Sequence, residues 1–319
     1  MPPPLDTFLL RASMHLADSR PATKPPNLDP LRAFLVAQAR IAGAEVEGIR
    51  GNLDPEHLHD FRVALRRTRA VVSQLRKVFP EAVFARYKEG FAWLGALTGR
   101  ARDLDVYLLA LPRYRRALPA AAGDGLRSFE AFLAEARGRE QERLLPGLSS
   151  QRFRELLDGW NEFLRRGEMV APAGRPVGAL LARRLRKAFR RVLREGEALG
   201  ASSDSAEFHD LRLEAKKLRY LLELSRSFHP EGEAQPFVRE LKYLQEGLGA
   251  INDYQVQQDS LEVYAGEVPA AATGAVRLLR EHLESCREKE RRRFAERFRG
   301  FASTARGERV DGLLQALVL

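Results

Sequence analysis

The sequence matches itself at an offset of 150 residues. His59-Asp60-Phe61-Arg62 lies over His209-Asp210-Leu211-Arg212. Without a gap, Arg66-Arg67 then lies over Lys216-Lys217, Arg69 over Arg219, Pro80 over Pro230, Leu94 over Leu244, Gly99 over Gly249 and Asp103 over Asp253. An ungapped match of this length points to an internal duplication. Apolar residues recur at three- and four-residue spacing almost throughout from Leu28 onward, and no sustained stretch alternates with the strand period. The expected fold is therefore all-α: two pseudo-symmetric antiparallel helical bundles packed about a pseudo-two-fold axis. Such an axis brings the two copies of any surface feature toward one another.

The expected organisation is a mobile N-terminal lead-in at 1–27 with a short helix around Phe8–Ala17, a first helical half at 28–168, a linker at 169–175 inside the segment GEMVAPAGRP, and a second half at 176–319. Two helix starts carry good capping chemistry. Asp54 with Pro55 suits an N-cap and first position, and Asp204 or Ser205 can cap the second copy.

Charge singles out the duplicated helices. The chain carries 53 Lys and Arg against 43 Asp and Glu, and all but eight of the 53 are Arg. The guanidinium is a planar fork of donors that matches phosphate oxygens. On a helix running from Asp54 to Phe79, Phe61, Ala64, Leu65, Thr68, Val72 and Leu75 form the core stripe. His59, Arg62, Arg66 and Arg69 share a stripe roughly opposite, with Arg67 beside it and Lys77 near the same line. From Phe61 to Pro80 no residue is acidic. Like charges at i,i+4 repel, so ordinary solvated faces mix signs. A purely cationic stripe makes sense where an anion lies along it. The second copy keeps the stripe in His209, Arg212, Lys216 and Arg219, with Lys217 beside it, diluted by Glu214 and Glu223. The preceding helix, 175–194, adds Arg183, Lys187 and Arg190 without an acid, over a core stripe of Leu181, Leu185, Phe189 and Val192. The equivalent helix of the first half is much less basic, so an asymmetric site is expected.

Other chemistries fare worse. The lone Cys286 permits neither an intramolecular disulfide nor a thiolate cluster. The His-Asp pairs invite comparison with metal-dependent phosphohydrolases. Those sites need further His and Asp ligands, and adjacent helical residues point about 100° apart. No phosphate-binding glycine loop or nucleophile elbow is present. The expectation is a non-enzyme with no cofactor and no bound metal. No window approaches a membrane span, and the N-terminus lacks the pattern of a secretory signal, so a cytoplasmic location is expected.

The blocks HDFRVALRRTRA (59–70), LTGRARDLDVYL (97–108), HDLRLEAKKLRYLLEL (209–224) and LKYLQEGLGAINDYQ (241–255) resemble the conserved-histidine α-helical domain family, CHAD. The resemblance covers essentially all of 28–305. It implies paired helical bundles with a basic central groove or channel, binding of inorganic polyphosphate and association with polyphosphate granules. Carried over, His59, Arg62, Arg66, Arg69, His209, Arg212, Lys216 and Arg219 would line that groove. The second half reads INDYQV where the first reads RDLDV, which separates the roles of Arg102 and Asp105 from any counterpart. RNA is the competing polyanion, but the stripe lacks the exposed aromatics that stack on bases. Oligomeric state is not legible. Histidines with ordinary pKa values near 6.5 would tighten anion binding as the pH falls.

Overall fold

The computed structural model describes residues 28–170, 176–200, 203–228, 234–264, 266–306 and 308–318. The lead-in 1–27, linker residues 171–175 and Pro230 lie outside the described residues. Among the described residues all regular structure is helical: α1 (Asp29–Arg50), α2 (Pro55–Gln74), α3 (Glu81–Leu97), α4 (Gly99–Ala117), α5 (Gly123–Ser149), α6 (Gln151–Arg166), α7 (Val177–Ala198), α8 (Ser205–Ser225), α9 (Gln235–Tyr264), α10 (Thr273–Ala305) and α11 (Glu308–Ala316).

Local chemistry sets the starts of the two central helices. The Asp54 carboxylate accepts from the Glu56 amide with Pro55 at the first position of α2, satisfying one of the free N–H groups at the helix start. Asp204 and Glu207 form a reciprocal capping box on α8. The sequence suggests one helix from Asp54 to Phe79. Instead α2 ends at Gln74 and a 3₁₀ turn, Arg76–Val78, follows, so Lys77 leaves the α2 stripe.

Secondary structure follows the 150-residue offset closely. The short 3₁₀ turns Ala120–Ala122 and Ala270–Ala272 lead into α5 and α10 at equivalent positions. Where the first half has two helices, α3 and α4, the second has the continuous α9. The break falls at Thr98, whose hydroxyl donates back to the Leu94 carbonyl at 2.7 Å. Leu248 stands in its place.

The apolar cores do not divide at the linker. One buried cluster joins α1, α2, α3 and α6 to α7, α8, α11 and the first part of α9. A second joins α4 and the start of α5 to the end of α9 and the start of α10. At the tip of this second cluster, a Cβ on Gly125 would stand 2.7 Å from the Cβ of Ala275, its equivalent at the offset. That approach requires the glycine. All expected core positions of α2 and α7 are buried.

A buried polar knot ties α5 to α4 and to the turn after α1. Arg137 donates to Asp105 at 2.6 Å and to Gln141 at 2.9 Å, and Gln141 donates to the Ile49 carbonyl at 2.7 Å. The second-half counterpart pairs Arg287 with Gln255, neutral where Asp105 is charged. Removing one member of a buried ion pair strands the other. Arg137→Ala is expected to cost about 3–5 kcal/mol, and Arg287→Ala under about 2 kcal/mol, read from urea unfolding of the two variants side by side.

Candidate functional site

The two helices that match at the 150-residue offset, α2 and α8, touch one another. Their cationic stripes meet at this contact. Arg66 lies within electrostatic reach of Arg212 and Lys216. Arg66 and Lys216 are themselves equivalent at the offset. Asp103 and Asp253, also equivalent, sense one another across the same boundary.

Each stripe is positioned by its own half. Arg62 donates to the Gly95 carbonyl at 2.9 Å and to the Thr98 hydroxyl at 2.7 Å. Arg69 lies across Gly95, where a Cβ would come within 2.8 Å of its guanidinium nitrogen. Arg219, the equivalent of Arg69, donates to Gln245, the equivalent of Gly95, at 3.4 Å. Arg212 stands 3.8 Å from Asp253.

Arg102 and Asn252 hold the histidines. Both partners lie 43 residues beyond their histidine. Arg102 contacts His59 Nδ1 at 2.7 Å. A guanidinium can only donate, so Nδ1 accepts and the ring proton sits on Nε2. His209 Nδ1 faces the Asn252 amide oxygen at 2.9 Å, so there Nδ1 donates and Nε2 is left as an acceptor. The divergent RDLDV and INDYQV segments thus supply equivalent supports with different chemistry.

Three of the expected binding residues stand apart from the α2–α8 contact, and Arg67, Lys217 and Arg219 are engaged by carboxylates, as Arg212 is more loosely. Arg67 pairs with Glu223 at 2.9 Å, and Glu223 also takes Arg219 at 2.8 Å. Glu223 therefore bolts α2 to α8. Lys217 pairs with Glu214 at 2.6 Å, and Glu214 also receives Arg191 from α7 at 3.3 Å. Glu214 lies about 160° around α8 from Arg212, so α7 packs on the flank of α8 away from the stripe. Arg183, Lys187 and Arg190 are exposed, and the leading influences on Arg62, Arg212 and Lys216 come from other helices than α7. The structure brings Arg66 together with Arg212 and Lys216, with Arg62 one turn from Arg66 and Arg219 near Lys216.

The electrostatics of this centre are one-sided. Arg66 and Lys216 make no hydrogen bond or ion pair with any described residue, and the Nε–H groups of Arg62, Arg66 and Arg212 are buried without an acceptor among them. Burial, then Arg212 and Arg66, push the Lys216 ammonium down to about 7. Burial and Arg66 also lower Arg212, and the same two causes lower Arg62. Burial and Arg102 lower His59. The protonation expected of His59 near 6.5 thus moves to lower pH, and Lys216 becomes a group that titrates near neutrality. Burial raises the Asp103 carboxyl, against the pull of Arg62.

Among the described residues, Glu56, His59 and Asp60 form the one group of His and acidic side chains close enough to share a cation. Arg102 stands on that histidine. Among the described residues no helix is long and apolar enough to cross a membrane.

The fold and this site define an all-helical protein with a cationic centre between α2 and α8. The chain belongs to the CHAD family: the family model described as CHAD domain matches residues 33–262. The fold is similar to the CHAD domain of the plant Ricinus communis, with a TM-score of 0.66, 21% identity and 92% of each chain covered. It is also similar to PptA from Streptomyces chartreusis, with a TM-score of 0.66 and 19% identity over 86% of this chain and 99% of that one. Uncharacterised proteins from two strains of Mycobacterium tuberculosis are 30% identical over 174 residues, or 51% of this chain. The chain spans 33% of the length of these curated relatives.

Lys216 sets a test of the electrostatics. Its folded pKa of about 7 lies below the unfolded value of about 10.4. Between the two the unfolded chain binds more protons, so the cost of Lys216 grows as pH falls from about 10 to about 7 and is complete below that. Lys216→Met is therefore expected to stabilise the free protein most at about pH 6. The gain should vanish above about pH 10.5, measured as the difference in urea midpoint between variant and wild type across pH.

Proposed function

We propose that the protein is a non-catalytic binder of inorganic polyphosphate, which it takes between α2 and α8. The observation that carries this reading is the convergence of Arg66, Arg212 and Lys216 on one half-buried spot, with Arg62 one turn from Arg66, where the protein supplies little compensating charge. Packing alone would replace such cations with apolar side chains, since buried unpaired charge is costly. A linear chain with roughly one negative charge per phosphate supplies what the cluster lacks. Arg66 and Arg212 would offer forked donors and Lys216 a point charge. His59 would donate from Nε2 without needing to be charged.

Membership of the CHAD family supports polyphosphate as the ligand, because the family resemblance carries that association together with localisation at polyphosphate granules in the cytoplasm. The half-buried setting favours a chain without bases over RNA, and the aromatic beside the stripe, Tyr220, is only partly exposed. A hydrolytic role is disfavoured because Arg102 puts a permanent positive charge against His59, where a metal ion would need the opposite.

Binding should take up a proton above about pH 7, because phosphate favours the charged form of Lys216. Calorimetric titration with long-chain polyphosphate at about pH 8, repeated in buffers of different ionisation enthalpy, is expected to show uptake of up to about one proton by wild type and none of it in Lys216→Met. Affinity should fall steeply with salt, with a log–log slope of about −3 for four engaged cations by analogy with single-stranded nucleic acid. Arg66→Ala should weaken binding about tenfold to a hundredfold. Equal binding by wild type and a folded Arg62, Arg66, Arg212, Lys216 to Ala variant would overturn the proposal. Preference for RNA over polyphosphate of equal charge would redirect it to nucleic acid.

A further inference from the structure

Several exposed arginines are each neutralised by a carboxylate one turn away. Arg139 pairs with Glu135, Arg143 with Glu140, Arg165 with Glu162, Arg277 with Glu281 and Arg293 with Glu290. The outer face of α7 breaks that pattern. Arg183, Arg186, Lys187 and Arg190 are all exposed, no acidic residue occurs between Val177 and Arg194, and none of the four has an ion-pair partner among the described residues. The apolar face of α7 is fully used: Leu181, Leu185, Phe189 and Val192 are all buried. The line Arg183, Lys187, Arg190 points about 170° away from them. The first-half equivalents of the four are Ala33, Val36, Ala37 and Arg40, so this strip belongs to one half only. It stands on the far side of α8 from the α2–α8 centre, as the Arg191–Glu214–Lys217 bridge places α7 there.

We infer that the outer face of α7 is a second, independent polyphosphate-docking surface, and that with the α2–α8 centre it makes each molecule bivalent, able to tie separate stretches of polyphosphate together. This rests on the polyphosphate reading above. The occupant follows from the strip itself. Successive cations on the line are three or four residues apart, hence about 5–6 Å along the helix, and span about 10 Å. They form a straight, fully solvated row matched to a linear run of charge. No aromatic stands among them to stack on a base. No apolar side chain projects there to enter a bilayer, because the apolar face is spent on the core. Two sites on opposite sides of α8 cannot share one short segment, so a long chain must wrap or pass to another molecule, and effective concentration then favours linked assemblies.

The test compares short and long polyphosphate. Wild type titrated with a short chain should show two classes of site, the weaker one more sensitive to salt because it is fully exposed. Long-chain polyphosphate should raise light scattering through a maximum and lower it again in excess, the signature of bridging. Replacing Arg183, Arg186, Lys187 and Arg190 together by Gln, which keeps helix propensity, should remove the weaker class and cut the scattering maximum about tenfold. A control with Arg139, Arg143, Arg277 and Arg293 changed to Gln removes the same charge from paired positions and should scatter like wild type. Unchanged scattering in the α7 variant, or equal loss in the control, overturns the inference while leaving the α2–α8 site intact. Loss of the α7 strip's effect on RNA duplex or anionic vesicles, but not on polyphosphate, also overturns it. No polyphosphate binding by wild type would bring down both readings.

Discussion

Like charges from two different helices are held against one another at the α2–α8 contact, and most of what is distinctive in the structure serves that arrangement. Arg66 and Lys216 would move apart in water. They stay because the apolar faces of α2 and α8 are committed to one shared core and because Glu223 pins Arg67 of one helix and Arg219 of the other. The repulsion is stored in protonation. Lys216 is brought to about 7 by burial and by its cationic neighbours, so the free protein near neutral pH can shed part of its charge and regain it when an anion arrives. Two aspartates, Asp103 and Asp253, lie close enough to moderate the field without cancelling it.

Much of this was legible in the sequence because the two signals involved are local. Helical period separates Phe61, Leu65 and Val72 from Arg62, Arg66 and Arg69, and the 150-residue offset finds the same separation in α8. The capping residues Asp54 and Asp204 are read directly from side-chain chemistry. What escaped reading depends on contacts between distant segments. Arg102 and Asn252 support equivalent histidines at the same 43-residue separation, yet their identities differ, so residue matching conceals them. Glu223 reads as a dilution of the second stripe and acts as the bolt between helices. Arg67 and Lys217 read as members of the stripe and are engaged by Glu223 and Glu214. The α2 helix stops at Gln74 with a 3₁₀ turn, which periodicity through Phe79 does not reveal.

The basic residues of α7 illustrate a different limit. Composition shows that the helix is cationic, and period shows which face is apolar. Neither says on which side of α8 the helix packs. A single bridge, Arg191 to Glu214 to Lys217, answers that and sets the exposed α7 cations apart from the α2–α8 contact. The asymmetry between halves expected from the sequence thus takes a particular form. The centre draws on both α2 and α8, and the outer strip on α7 alone.

The protein itself leaves the α2–α8 cations under-compensated, and on the proposed reading a phosphate chain completes them. The most direct measurement is the titration of the Lys216 ammonium by nuclear magnetic resonance, with and without saturating long-chain polyphosphate. The expected midpoint lies near 7 in the free protein and rises toward about 10.4 in the complex. An ordinary lysine midpoint in the free protein, or a depressed midpoint that polyphosphate leaves unmoved, would contradict it.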